Sequence, residues 1–171
     1  METFKARPLI AGVGEWIVSG EPGAVLASYA LGSCIGLSAW DPQLKIGGML
    51  HFMLPESSLN PEKARLKPGT FCDSGILRLL GELRAMGAEP RRLRIMLAGA
   101  AKVLDGGDFF DIGRRNQLAA RRRLWEQGLT AEDEDTGGEL SRTLKLHLDS
   151  GRVTVRDSFG EHELGRRHFR G

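Results

Sequence analysis

Residues 34–54 constrain this chain more than any other stretch, because they alternate strictly on both sides of a turn signal. Side chains of a strand point to opposite faces with period two. Ile35, Leu37, Ala39, Ile46, Leu50, Phe52 and Leu54 therefore share one face, which is apolar and has to pack on a core. Cys34, Gly36, Ser38, Trp40, Lys45, Gly47, Met49, His51 and Met53 share the other. Between the two runs stands Asp41-Pro42-Gln43-Leu44. Proline fixes φ and aspartate accepts local backbone hydrogen bonds, so this tetrapeptide reads as a hairpin turn. With the turn centred on Pro42-Gln43, Cys34 falls directly opposite His51. Opposed side chains in an antiparallel pair have Cβ atoms roughly 4.5–5.5 Å apart, within reach of a thiol–imidazole hydrogen bond. That is the minimum apparatus of an activated cysteine nucleophile. A lone strand cysteine is ordinarily a small buried hydrophobe, and a lone histidine a satisfied polar group. Their shared face and shared rung argue for more. Glycines inside a strand mark the close approach of a ligand or of another backbone, and Gly36 and Gly47 are read here as giving access to the thiol.

Composition narrows the class. The chain has 171 residues, 41% hydrophobic and 27% charged, which suits one domain with a genuine core. A net charge of +2 calls for no nucleic-acid partner. No apolar run is long enough to span a bilayer, and Met1 to Arg7 lacks the apolar core of a signal peptide, so the expected setting is cytoplasmic, without direct membrane insertion. Two cysteines, Cys34 and Cys72, make no disulfide framework. Without a CxxC or HxxxH spacing, a zinc site is not expected.

Periodicity and breakers give the order of elements. Strands are expected over residues 10–18 and 23–29, then the hairpin, then a polar loop over 56–70. Asp73 or Ser74 can cap a helix carrying Ile76, Leu77, Leu79, Leu80 and Leu83 at helical spacing and ending near Gly87. A strand over 93–98 and a glycine-containing connection over 103–112 precede a second helix over 113–127. A further strand is expected over 129–133, a turn at Asp135-Thr136-Gly137-Gly138, and a terminal hairpin of strands 140–149 and 152–156 joined by Ser150-Gly151. The fold class is α/β: a single layered domain, residues 1–157, of mostly antiparallel strands packed with two main helices, followed by a polar tail over 158–171.

Several features have plain explanations. Arg121-Arg122-Arg123 and Arg166-Arg167-His168 read as a solvated helix face and a tail, without the aromatic interleaving that RNA binding uses. Gly106-Gly107 lacks the Lys-Ser/Thr that a phosphate loop needs. Cys72 reads as a core residue, a redox pairing with Cys34 being the other reading.

Leu31-Gly32-Ser33-Cys34, Asp41-Pro42, Ile46-Gly47-Gly48-Met49 and His51-Phe52-Met53-Leu54-Pro55 resemble the CheD family of chemoreceptor glutamine deamidases. The likeness continues through Cys72-Asp73, Ile112-Gly113-Arg114-Arg115-Asn116, Asp135-Thr136-Gly137-Gly138 with Arg142, and Gly151-Arg152-Val153. The resemblance implies a fold like that of the deamidase domains of cytotoxic necrotizing toxins. It implies a Cys–His–Thr triad in which Cys34 and His51 take the first two places and Ser28 stands where the family has threonine. It implies no cofactor, a substrate glutamine on the cytoplasmic helices of methyl-accepting chemotaxis receptors, and a CheC-type phosphatase as a partner. Ala98-Gly99-Ala100-Ala101-Lys102 departs from the Phe-Gly-Gly-like stretch of the family.

Amides are poor electrophiles, and a free thiol with a pKa of about 8.5 is only a few per cent thiolate at neutral pH. His51 is therefore expected to take the Cys34 proton, Ser28 to fix the ring, and backbone N–H groups at Gly32, Ser33 and Cys34 to hold the oxyanion, worth roughly 3–4 kcal/mol per donor. A glutamyl methylesterase using the same residues, and a weakly active or inactive module binding the phosphatase, are the other classes open to such a sequence.

Overall fold

The central hairpin forms as its alternation demands, but two residues out of the expected register. A computed structural model describes residues 7–102 and 111–165. In it, strand β4 (Ile35–Asp41) pairs with β5 (Ile46–Phe52) so that Asp41 faces Ile46 and Gly36 faces His51. Cys34 lies beyond the end of this ladder and not opposite His51. The cause is local. Asp41 Oδ1 accepts from the backbone N–H groups of both Gln43 (2.9 Å) and Leu44 (3.3 Å), Lys45 N–H donates to Asp41 O (2.8 Å), and Lys45 sits at φ 53°. The turn thus takes Pro42 through Lys45 and centres on Gln43-Leu44. Burial pushes the Asp41 carboxyl up, but Arg92 and the N–H groups of Gln43, Glu89 and Leu44 outweigh it and hold the group ionised, below the usual carboxylate range. The two faces survive the shift, because a pairing displaced by two leaves the parity of every side chain unchanged.

The hairpin is the middle of a five-stranded sheet ordered β2-β5-β4-β6-β7, with β2 Glu15–Ser19, β6 Arg94–Gly99 and β7 Asp133–Thr136. A second five-stranded sheet runs β1-β3-β8-β9-β10, with β1 Leu9–Ile10, β3 Val25–Leu31, β8 Arg142–His147, β9 Val153–Asp157 and β10 Gly160–Leu164. Three α-helices complete the described residues: α1 Pro61–Leu66, α2 Cys72–Ala85 and α3 Ile112–Glu126. Ile35, Leu37, Ala39, Leu50 and Phe52 pack against Ile76, Leu79, Leu80 and Leu83 of α2 and Ala120 and Leu124 of α3. Trp40, Met49, Met96 and Ala98, on the opposite face, pack against Leu26, Leu31, Leu144, Leu146 and Val155 of the second sheet. The layers are helices, sheet, sheet. Every residue of β4 and β5 is buried.

That double burial corrects the reading of the hairpin glycines. A Cβ on Gly36 would stand 2.9 Å from Leu31 and 3.1 Å from Leu144, and one on Gly47 2.8 Å from Leu148. These glycines let the two sheets approach, and they do not open a path to the thiol. Other differences have similarly local reasons. Residues 10–18 are two strands in different sheets, because the chain turns at Gly14 (φ 76°), whose N–H donates to His51 O (2.7 Å). The loop over 56–70 contains α1, capped by Asn60, which accepts from Lys63 N–H (3.1 Å). Neither Asp73 nor Ser74 caps α2. Phe71 holds the cap position, Asp73 accepts from Ser57, and Ser74 donates to Pro68 O. Asp133 to Thr136 form β7, so only Gly137 and Gly138 make the expected turn. In the terminal hairpin the turn spans 148–151, not Ser150-Gly151 alone, since His147 N–H donates to Arg152 O. The tail is not irregular throughout, because β10 pairs with β9.

Arg121, Arg122 and Arg123 pair with Glu134 or Glu126 on an exposed helix face. Met1 to Ala6, the Gly106-Gly107 pair, most of the 103–112 connection and Arg166-Arg167-His168 lie outside the described residues. No helix among the described residues is long and apolar enough to cross a membrane.

Gly151, at φ 72°, supports the second sheet against Trp40: a Cβ there would fall 2.2 Å from the indole ring, whose Nε1 donates to Leu148 O (2.8 Å). Gly151→Ala combines left-handed strain with overpacking and is expected to lower stability by about 2–4 kcal/mol, read as a shift in the urea midpoint.

Candidate active site

The chain passes from the second sheet to the first in the three residues that end at Cys34. Strand β3 is already irregular between Ser28 and Leu31, with Ala30 at φ 54°. Gly32, Ser33 and Cys34 then lie between β3 and β4 with all three carbonyls engaged. Gly32 O accepts from Ala101 N–H (2.8 Å), Ser33 O from Asn116 Nδ2 (2.9 Å) and Cys34 O from Ala100 N–H (2.9 Å). The end of β6 is shaped for this grip. Gly99 has φ 117°, and a Cβ on it would fall 2.2 Å from Cys34 O, so no side chain fits. Ala100 follows at φ 53°, and Gly113 at the start of α3 lies so near Ala100 O that a Cβ would stand 2.7 Å away. Arg142, buried, donates from Nη1 to Gly99 O (2.9 Å) and from Nη2 to Gly137 O (2.6 Å), and pairs with Asp135 (3.3 Å). The run Ala98 to Lys102, which departs from the family pattern, is thus the clamp on the cysteine segment.

A carbonyl shares its peptide plane with the N–H of the next residue, so pinning Gly32 O and Ser33 O fixes the directions of the Ser33 and Cys34 N–H groups. The N–H groups of Gly32 and Ser33 donate to no group among the described residues. Cys34 is half-buried and His51 is 2% exposed. The two stand on the same face, His51 opposite Gly36 and Cys34 two residues before it.

The imidazole is oriented by a backbone carbonyl. His51 Nδ1 lies 3.3 Å from Ala11 O, and Ser28 Oγ donates to the same oxygen (3.0 Å). A carbonyl only accepts, so the neutral ring carries its proton on Nδ1 and leaves Nε2 bare. Nε2 is buried without a hydrogen-bond partner among the described residues. Ser28, itself fully buried, was expected to hold the ring directly. It instead touches the carbonyl that holds the ring.

Electrostatics favour neutral partners. Burial pushes the Cys34 thiol up, only partly offset by its own backbone N–H. Burial pushes His51 down, partly offset by Ala11 O and by the charge of Glu15, its cross-strand neighbour. The resting pair is a thiol and an imidazole with a free acceptor nitrogen, and not an ion pair. Cys72 belongs to the helix-side core and is fully buried, its thiol pushed far up by burial, and both cysteines are free. No group of three or more His, Cys, Asp or Glu side chains among the described residues is arranged to hold a metal.

Two contributors were not singled out from the sequence as site residues. Ala11 acts through its backbone, and no side-chain pattern announces that. Asn116 did leave a signal: it is the one polar member of the buried stripe Gly113, Asn116, Ala120, Leu124 on α3.

A half-buried cysteine on a clamped segment and a histidine on the same hairpin face, its Nδ1 set against a carbonyl and its Nε2 not hydrogen-bonded to the thiol, define a candidate thiol–imidazole centre in an α/β sandwich. The chain belongs to the CheD family. The family model described as CheD chemotactic sensory transduction matches residues 53–157. The chain is 51% identical over 144 residues to a probable chemoreceptor glutamine deamidase CheD 2 of Anaeromyxobacter dehalogenans, covering 84% of this chain and 91% of that protein. It is 46% identical over 156 residues to a probable chemoreceptor glutamine deamidase CheD of Solibacter usitatus (91% and 92%). It is 35% identical over 155 residues to the chemoreceptor glutamine deamidase CheD of Thermotoga maritima (91% and 95%). The family-model match begins after His51, but a stretch of 156 residues in a chain of 171 necessarily runs across Ser28, Cys34 and His51.

A raised thiol has a checkable signature. The rate of Cys34 alkylation by iodoacetamide is expected to climb with pH through and beyond the ordinary thiol range near about 8.5. A rate plateau below neutral pH, the mark of a thiolate–imidazolium pair, would contradict the neutral resting state.

Proposed function

We propose that this chain is a chemoreceptor glutamine deamidase with Cys34 as nucleophile and His51 as general base and acid. The observation that carries the reading is the contact of His51 Nδ1 with Ala11 O, which assigns the ring proton to Nδ1 and leaves Nε2 a buried acceptor without a partner on the hairpin face that Cys34 shares. The names of the relatives support the substrate class.

The chemistry follows from the neutral pair. Because the thiol is protonated at rest, sulfur attack on the carboxamide carbon and proton transfer from Sγ to His51 Nε2 occur together. The C=O pair moves onto oxygen, and the N–H groups of Gly32 and Ser33 receive the oxyanion. Collapse breaks the C–N bond, and His51 returns its proton to the departing nitrogen as ammonia. Water then attacks the thioester with His51 as base, the C–S bond breaks, and glutamate and the free thiol result. The imidazolium formed in transit is stabilised by Ala11 O and Glu15, the same groups that raise His51 against its burial. Ser28 acts through Ala11 O, holding the carbonyl that holds the ring.

The substrate glutamines lie on cytoplasmic receptor helices, so the work is done in the cytoplasm, and a CheC-type phosphatase is the partner that this reading carries with it. Deamidation adds a negative charge at the modified position.

Intact-mass analysis of a receptor cytoplasmic fragment tests the reading. A gain of about 1 Da per site is expected with the wild type and none with Cys34→Ala, whereas ester hydrolysis would give a loss of about 14 Da. His51→Ala is expected to reduce the rate at least about a hundredfold. Ser28→Ala, which removes one of two hydrogen bonds to Ala11 O, is expected to cost about fivefold, the equivalent of about 1 kcal/mol. Full activity in Cys34→Ala would exclude the assigned nucleophile.

A further inference from the structure

We propose that Asn116 is a positioning residue of the catalytic centre: its single amide nitrogen bridges the peptide of the nucleophile to the strand of the base. The proposal rests on the deamidase reading above and adds a residue to its machinery.

Asn116 is fully buried, and Nδ2 donates to two carbonyls, Ser33 O and Met53 O, each at 2.9 Å. These acceptors belong to segments that the fold brings together at the end of a ladder. The last rung of β4 and β5 is Ile35 with Phe52. Beyond it the cysteine segment leaves for the other sheet, so Ser33 and Met53 cannot pair with each other. Two acceptors converge with no donor between them. A primary amide supplies two donors from one atom and serves as the missing rung. The orientation of the amide is settled by the same geometry, since a flip would set Oδ1 against two carbonyl oxygens. Oδ1 has no hydrogen-bond partner among the described residues, so nothing else competes to hold the group the other way.

The position of the two carbonyls gives the bridge its role. Ser33 O belongs to the peptide that carries Cys34 N–H, and peptide planarity transmits its direction to that N–H and to the Cα bearing the thiol. Met53 follows His51 by two residues, just past the end of β5. One side chain therefore fixes the separation and twist of nucleophile and base, while Ala100 and Ala101 hold only the nucleophile side. Asn116 is itself anchored on α3, whose first turn is capped by Asp111 and packed against Ala100 at Gly113. Loss of the amide leaves two carbonyls unpaired and the Ser33–Cys34 peptide free to rotate. Displacement of a reacting group by about an ångström is enough to cost on the order of a hundredfold in rate.

The test compares Asn116→Ala and Asn116→Ser with Leu124→Ala, a control that removes a buried side chain from the same helix without touching the cysteine segment. Each variant is assayed below its melting transition, with near-ultraviolet circular dichroism to establish folding, for deamidation of the receptor fragment and for Cys34 alkylation by iodoacetamide. Asn116→Ala is expected to lower kcat at least about tenfold with KM within about twofold, and to change the alkylation rate at least about threefold. Asn116→Ser, which keeps a single donor, should fall between it and the wild type. Leu124→Ala should melt earlier yet keep both kinetic constants and the alkylation rate within about twofold. The proposal is overturned if Asn116→Ala keeps its kcat and alkylation rate, or if Leu124→Ala loses them equally. If the wild type deamidates no receptor fragment while alkylation still responds to Asn116 and not to Leu124, the positioning role stands and the substrate assignment fails.

Discussion

Everything at the site depends on the hairpin β4–β5 being covered on both faces. A strand pair buried on one side leaves the other open to water, and a thiol there would sit in a high dielectric with an ordinary pKa. Here α2 and α3 cover one face and the second sheet covers the other. The chain therefore has to cross between sheets, and near the hairpin's open end it does so around Gly14, through Gly32 to Cys34, and again after Thr136. Crossing segments cannot satisfy their backbone by ladder pairing, so each polar group needs an individual partner. Those partners are the clamp: Ala100, Ala101 and Asn116 for the crossing at Cys34, His51 O and Ser28 for the one at Gly14. The site lies where regular sheet structure ends and is held by the bonds that replace it.

The same burial decides the chemistry. Desolvation moves thiol and imidazole in opposite directions, both toward neutrality. Such a pair is not idle, because a neutral imidazole is the competent base for a protonated thiol, and charge separation is deferred until a substrate carbonyl is present to accept it. Storing a thiolate at rest would expose the cysteine to oxidation and alkylation. In the proposed mechanism the centre ionises only during attack, is less exposed to that loss, and would recover the cost at the transition state through the N–H groups of Gly32 and Ser33.

Much of this is legible in the residues, and what is not depends on individual backbone contacts. Alternation over 34–54 gave the correct faces, because parity survives any even shift of register. The register itself was out of reach, since it turned on Asp41 accepting two N–H groups rather than one and on Lys45 adopting a left-handed conformation. The helix over 113–127 was almost as expected, whereas residues 10–18 were read as one strand although Gly12 and Gly14 stood inside them as breakers. The hairpin glycines mark a close approach, but of the second sheet and not of a ligand with access to the thiol. Period-two patterning cannot say whether a ligand or a second sheet approaches, and Leu31, Leu144, Leu146 and Leu148 of the second-sheet side are what meet these glycines.

Ser28 shows how far a side-chain motif reaches when the acting group is backbone. The resemblance places a threonine there, and a hydroxyl gripping the imidazole would benefit from a γ-methyl that restricts its rotamer. In this structure the hydroxyl instead donates to Ala11 O, the oxygen that also faces His51 Nδ1. A serine held by that bond, fully buried, is already confined without the methyl. The ring's tautomer then depends on a carbonyl that no substitution at position 28 removes. Serine in place of threonine is on this argument a change in how firmly Ala11 is held, and it leaves the proton inventory of the Cys34–His51 pair as it was.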